Sequence, residues 1–259
     1  MHLITMMITP FEIILVFVAV AFIVATILIL DEYKKREIIS TVTPLSRGER
    51  SEQDLIYRLI KAGIPASTIF HDLYIPTKRG YTQIDIVVPT NVGIFVFEVK
   101  DYSGWIFGNG TSDKWTQVLA YGQEKHQFYN PIKQNAKHIE ALCNTSAQLQ
   151  NVPIYSIVVF YGSCEIRALT DVPTDCWVCY DNDVVRIVKN IIARSTPAPY
   201  TDKWEVMRIL KDGVESGNDE AIKSVHLQNA QRASYGKYQS TYNYSYFPRF
   251  YRHRRRWRF

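Results

Sequence analysis

The chain has 259 residues, of which 47% are apolar, enough for one sizeable globular core plus appendages. Its net charge of +5 excludes a basic globular domain, because Gln231–Phe259 alone holds eight Lys and Arg and no acid. The rest of the chain is weakly acidic, and the basic character belongs to a tail.

Ile13–Leu30, "IILVFVAVAFIVATILIL", carries no charge, and Thr26 is its one polar member. It nearly matches the roughly 20 helical residues needed to cross a bilayer core. A cleaved signal peptide needs a basic start and a small-residue cleavage site, and neither is present. Residues 1–30 therefore read as an N-terminal transmembrane anchor. Lys34, Lys35 and Arg36 follow the span and no Lys or Arg precedes it. The positive-inside rule then puts the bulk of the chain in the cytoplasm as a single-pass membrane protein.

Residues 31–45 read as a charged juxtamembrane linker, and residues 46–212 as the folded domain. A helix is expected over about Ser46–Ala62, with Gly63 just past its end. Leu55, Ile56, Leu59 and Ile60 form its apolar stripe, and Glu52 lies on that stripe. Glu49 lies one turn earlier, on its edge. Such a Glu near a helix start is often only a complement to the helix dipole.

Three strands follow, about Ile69–Pro76, Tyr81–Pro89 and Gly93–Lys100, with "PTNVG" suggesting a hairpin between the last two. "WIFG" and "WTQV" are shorter β-like pieces around "GNGTSD". Asn130 and Pro131 open a helix expected over Pro131–Gln148. Ile154–Gly162 and "CWVCY" read as strands, and helices at about Asp183–Ala193 and Trp204–Lys211 complete the domain. Helix, three strands, helix, strand is a mixed α/β layout around one central sheet flanked by helices.

Cys176 and Cys179 have the spacing of half a zinc site, but no second pair matches it. On a strand, positions i and i+3 face opposite ways. The four cysteines therefore read as ordinary reduced thiols. His71, His126 and His138 show no metal spacing and read as surface or satisfied core residues.

The strand "GIFVFEVKD" places Glu98 and Lys100 at the end of an otherwise apolar run, where an unpaired buried charge is costly. Period-2 alternation puts Gln83, Asp85 and Val87 on one face of the preceding strand. A hairpin turning about Asn91-Val92 then sets Asp85 directly opposite Glu98, with Cβ atoms about 5 Å apart. Two such carboxylates repel unless a cation sits between them, and hard oxygen ligands suit Mg²⁺. The rival is a structural bridge in which Lys100 neutralises both acids. Glu52 on the neighbouring helix favours the metal site.

Asp85 and Glu98-Val99-Lys100 resemble the Asp…Glu-x-Lys motif of the PD-(D/E)xK nuclease superfamily. "TQIDIVVPTNVGIFVFEVKDYSGWIFG", "KWTQ" and "NPIKQN", in that order, resemble the nuclease-related domain family over about Gly48–Leu149. The family usually shows a Gly-Glu pair at the first helix. Here Ser51-Glu52 or Gly48-Glu49 can take that place, and the facing of Glu52 favours it. The resemblance implies a restriction-endonuclease-like core and hydrolysis of nucleic-acid phosphodiester bonds with Mg²⁺ (or Mn²⁺). It implies that Asp85, Glu98 and the Val99 carbonyl hold the metal. Lys100 would orient the attacking water, Glu52 complete the metal shell or position its waters, and Gln134 contact water or phosphate at a helix start. Gln83 would at most support Asp85, and Trp115 and Gln117 would pack the β extension.

Residues 213–259 read as a linker and a Tyr/Arg-rich tail that lacks the aliphatics of a core. Arg249, Arg252, Arg254, Arg255, Arg256 and Arg258, interleaved with aromatic rings, suit DNA or RNA, with anionic lipid as the competing partner. The leading expectation is a membrane-anchored Mg-dependent nuclease. Its rivals are a non-catalytic nucleic-acid-binding or membrane scaffold protein on the same fold, and a structural protein whose acids and Lys form a bridge network.

Overall fold

The computed structural model describes residues 10–235; the tail arginines Arg249, Arg252, Arg254, Arg255, Arg256 and Arg258 lie outside the described residues. Helix α1 (Pro10–Ser40) turns its apolar residues outward, with Phe11, Phe17 and Phe22 all more than 70% exposed. Its Ile14–Ser40 portion is long and apolar enough to cross a membrane. The helix continues through the charged stretch expected as a linker. Arg36 pairs with Glu32 one turn earlier at 2.9 Å, and Lys35 reaches Asp54 on the next helix at 2.6 Å. Ile39 is buried, so the end of α1 is packed onto the domain.

Helix α2 (Arg50–Lys61) begins later than its apolar pattern suggests. Gly48 has φ +73 and Glu49 an extended backbone, so the helix cannot extend back through them. It ends as expected at Gly63, with φ +99. The Gly63 N–H donates to the Ile60 carbonyl and the Ile64 N–H to the Leu59 carbonyl.

The central sheet has the order β1 (Phe70–Thr77), β2 (Gly80–Thr90), β3 (Gly93–Asp101), β7 (Ile154–Tyr161), β9 (Cys176–Tyr180). The first three strands are antiparallel, and β7 and β9 run parallel to β3. Their parallel order follows from the helical crossover α3 (Pro131–Cys143) between β3 and β7. A second mixed sheet, in the order β6 (Glu124–Tyr129), β5 (Lys114–Leu119), β4 (Gly104–Asn109), β8 (Cys164–Thr170), is inserted around it.

Leu55, Ile56 and Leu59 of α2 pack on Ile86, Phe95, Phe97 and Val99, joined by Val184 and Val188 of α4 (Val184–Arg194). The opposite face buries Val87, Ile94 and Val96 under Ile139 and Leu142 of α3 and Val206 and Leu210 of α5 (Lys203–Ser216). Each fully buried Leu, Ile or Phe contributes about 2 kcal/mol. Trp115 is buried and stacks on Phe160 at 6.1 Å, joining the second sheet to the first. Cys176 and Cys179 fall in cores on opposite sides of β9. All four cysteines are free, and burial pushes the Cys176 and Cys179 thiols up to about 12.

Helix α3 stops at Cys143 rather than continuing to Gln148. The Thr145 hydroxyl donates to the Leu142 carbonyl, a local bond that competes with the helical ladder. A further helix, α6 (Glu220–Tyr235), occupies part of the stretch expected as a linker. It lies on the β1–β2 hairpin, where Asn229 donates to the Arg79 carbonyl at 2.7 Å.

Candidate active site

The site lies where β2 leaves β3. The ladder pairs Thr90 with Gly93 through to Ile86 with Phe97 and then stops, and the next opposed pair in that register is Asp85 and Glu98. The cause lies on β1. Asp72 is buried with a left-handed backbone, φ +55. Residues two apart on a strand normally share a face. Here His71 turns to α2 while Leu73 packs under α5, and across the ladder Ile86 and Ile84 divide in the same way. Alternation therefore slips beside Asp85, and Gln83 does not share the face of Val87. Gln83 instead donates to Asp72 Oδ1 at 2.8 Å, while Arg47 holds Asp72 Oδ2 at 2.6 Å.

With β2 peeled away, Asp85 Oδ2 takes the N–H of Val99 at 2.8 Å. A strand residue that donates to one side also turns its carbonyl to that side, so the Val99 C=O faces the same gap. Glu98 is 1% exposed. Its Oε1 is 2.6 Å from Lys100 Nζ. Its Oε2 stands 3.2 Å from His138 Nε2 of α3, yet neither atom makes a hydrogen bond among the described residues. The other ring nitrogen of His138, Nδ1, is 2.8 Å from the Thr82 hydroxyl.

The charges respond to this crowding. Burial pushes the Asp85 carboxyl well above the usual range, and the charges of Glu98 and Glu52 push it the same way. Lys100 and the Val99 N–H oppose them. Glu98 is buried too, but Lys100 and His138 outweigh burial and hold it below the usual range. Burial alone would lower Lys100, and its two acidic neighbours Glu98 and Asp85 raise it instead, so it stays a cation.

Glu52 comes in on α2, buried, while Glu49 is exposed; of the two glutamates, Glu52 faces the site. Its Oε2 accepts from the Glu49 N–H at 3.3 Å and meets His71 Nε2 at 2.8 Å. His71 Nδ1 meets the Thr43 hydroxyl at 2.9 Å, so a buried chain runs from the segment after α1 to the first-helix acid. Gly48 makes this possible. A Cβ there would stand 2.4 Å from the His71 ring and 2.5 Å from the Glu52 carboxylate.

Asn130 fixes the start of α3. It is fully buried, accepts from Ile132 N–H at 2.9 Å and donates to the carbonyls of Asn109, Gly110 and Ser112. Gln134 is partly buried one turn before His138, on the same helix face. Trp115 and Gln117 belong to the second sheet, where Gln117 donates to the Ser103 carbonyl at 2.8 Å.

The fold thus brings Asp85, Glu98, Val99 and Lys100 together, sets Glu52 close enough to raise Asp85, and turns the face of Gln134 and His138 toward Glu98. His138 and Thr82 are the residues that motif reading passes over. The signal available was the four-residue spacing from Gln134 to His138 in "NPIKQNAKH".

Among the described residues, no group of three or more His, Cys, Asp or Glu side chains is disposed to hold a metal ion. A cation would draw instead on two carboxylates and a backbone carbonyl, those of Asp85, Glu98 and Val99. The buried, unbonded Glu98 Oε2 and the like charge of Asp85 opposite it fit a hard divalent ion.

An uncharacterized protein of Bacillus anthracis is 30% identical over 155 residues, spanning 59% of this chain and 71% of that protein. No solved structure matches the chain. The family model of the nuclease-related domain matches residues 47–161, from Arg47, just before the glycine that seats Glu52, through β7. The chain belongs, through that segment, to the nuclease-related domain family.

Proposed function

We propose that the chain is a membrane-anchored, divalent-cation-dependent nuclease that hydrolyses nucleic-acid phosphodiester bonds. The observation that carries this reading is the nearness of Asp85 and Glu98 at the point where β2 peels from β3, close enough for Glu98 to push the Asp85 carboxyl up, with Lys100 held on Glu98 at 2.6 Å. Two acids served by one Lys leave room for the charge of a divalent ion.

In this reading Asp85, Glu98 and the Val99 carbonyl would hold Mg²⁺ or Mn²⁺. The ion would polarise the phosphoryl oxygen and lower the pKa of the attacking water. Lys100 stays protonated and so can donate to the attacking water and to the developing phosphoryl charge. Glu52, held by His71, orients water from the α2 side. Gln134 sits in the first turn of α3, where the positive helix end favours a phosphate. Ile14–Ser40 would anchor the domain on the cytoplasmic side, and its end is tied to α2 through Lys35 and Asp54.

The test is cleavage of single- and double-stranded DNA and RNA with Mg²⁺ or Mn²⁺, with Asp85→Ala and Glu98→Ala as controls. No cleavage of any substrate, or cleavage that survives both substitutions, would remove the catalytic assignment and leave the non-catalytic scaffold reading. The arginine-rich tail is tested separately by truncation after Tyr235, which keeps α6 intact. Loss of salt-dependent nucleic-acid binding in that variant supports the tail as a nucleic-acid contact, and unchanged binding removes it.

A further inference from the structure

Strand β3 carries Glu98 and Lys100 two positions apart, and the series does not end at Lys100. The Tyr102 N–H donates to the Tyr161 carbonyl at 3.2 Å, so the ladder with β7 runs one residue past Asp101. Tyr102 therefore falls on the face of Glu98 and Lys100. Phe160 pairs with Lys100 in the same ladder, and the Tyr102 ring meets it with centroids 6.4 Å apart. Phe128 of β6 meets the ring more closely, at 4.7 Å. The ring thus packs at the edge of the apolar cluster that holds Trp115 and Ile132, the latter in the first turn of α3. A phenol oxygen lies on the axis of its ring, so neighbours that hold the ring also fix the oxygen.

The hydroxyl itself is uncommitted. Tyr102 is half-buried, and among the described residues its hydroxyl makes no hydrogen bond. The charges of the site reach it. Burial pushes the phenol above its ordinary value, Lys100 draws it down, and Glu98 pushes it up again, with a net rise. The phenol stays protonated and offers a donor beside the Lys100 ammonium. Negative charge on the oxygens of a reacting phosphate is stabilised by donors fixed in advance. We propose that Tyr102 is a further catalytic residue, whose hydroxyl, aimed by Phe128, donates a hydrogen bond to a non-bridging oxygen of the scissile phosphodiester next to Lys100. It keeps its proton throughout. The inference rests on the nuclease reading above and adds a phosphate donor that it lacks. The competing role is an aromatic tie between β3 and β6. The ring alone serves such a tie, so the two roles part at the hydroxyl.

The test is Tyr102→Phe in the full-length chain in detergent micelles, because it keeps the ring and removes only the hydroxyl. Cleavage of a labelled oligonucleotide, DNA or RNA as the wild type accepts, is followed at saturating cation. The variant should lose about 10²-fold in kcat with KM within about threefold. Its thermal unfolding, and its affinity for the same oligonucleotide in chelator, should match the wild type. A merely structural ring would leave kcat where it was. Phe128→Leu keeps the hydroxyl and loosens the ring, so it should lower kcat about tenfold. The double variant Tyr102→Phe/Phe128→Leu should fall no further than Tyr102→Phe alone, since nothing is left to aim. Losses that multiply in the double variant overturn the aiming role of Phe128. If Tyr102→Phe cleaves within about twofold of the wild type, or changes KM alone, the catalytic role is overturned while the nuclease reading stands. If the wild type cleaves no substrate, both fall.

Discussion

Two clusters of charge lie beside α2, one half-buried and one buried, and they differ in completeness. In one, Asp54 is flanked by Arg58 at 2.5 Å and Lys35 at 2.6 Å, and Arg58 also reaches Asp181 at 2.7 Å. Burial works against the Asp54 charge, but Arg58 and Lys35 overcome it and hold the carboxyl below the usual range. In the other, Asp85 and Glu98 share one Lys, Asp85 is pushed up, and Glu98 Oε2 is left unbonded. The first cluster is a finished clamp that ties α1, α2 and the β9–α4 turn together. The second lacks a positive charge, as a site for a divalent ion should.

The largest effect that separates them is on chemistry. Asp85→Asn should reduce cleavage by about 10³-fold or more, the scale seen when one element of charge stabilisation is lost. Asp54→Ala should leave kcat within about twofold while the chain is folded. A cleavage assay at saturating cation reads both, and comparable losses would erase the distinction.

Next comes His71, whose ring joins Thr43 to Glu52 in a buried chain. His71→Leu strands the Glu52 carboxylate without its ring donor, at a cost of about 1–3 kcal/mol. Asp54→Ala should cost less, about 1 kcal/mol, since Arg58 is about one-third exposed and water can replace part of the pairing. Denaturant unfolding in detergent measures both. A larger loss for Asp54→Ala would place the more critical carboxylate in the clamp.

The difference between the clusters was only partly visible in the residues. Asp85 and Glu98 could be singled out because a short hairpin fixes register and so brings the two residues near each other, although the ladder ends one pair short of them. The order helix, three strands, helix, strand was legible from periodicity. The facing of Gln83 was not, because a left-handed Asp72 resets the alternation, and Asp tolerates that conformation without any sign in the pattern. His138 was hidden because helix facing names its neighbours on α3 and not the strand beneath them. Strands β6 and β8 escaped because they are short and mostly exposed, with few apolar residues to mark a face. The α1 extension escaped because its stability comes from Lys35–Asp54 and buried Ile39, both tertiary contacts.

The smallest effect, on cation-free stability, has opposite signs at the two clusters. Asp85 has a folded-state pKa above its ordinary value of 3.8. Its contribution is therefore most favourable below that value and is lost as pH rises through the raised one. Asp54 has a depressed folded pKa, so its contribution is present above 3.8 and lost as pH falls through the lowered value. Asp85→Asn keeps an acceptor for the Val99 N–H and removes the like charge opposite Glu98. It should thus stabilise the cation-free chain at pH 8 by about 0.5 kcal/mol and flatten the decline in stability above pH 4. Asp54→Asn should do the reverse, lowering stability at pH 8 and leaving it unchanged well below the lowered Asp54 value. Thermal unfolding of both variants in chelator, at pH 5 and pH 8, compares the signs directly. If Asp85→Asn destabilises the cation-free chain at pH 8, Asp85 belongs to a completed bridge like that of Asp54, and the case for a missing cation loses its electrostatic support.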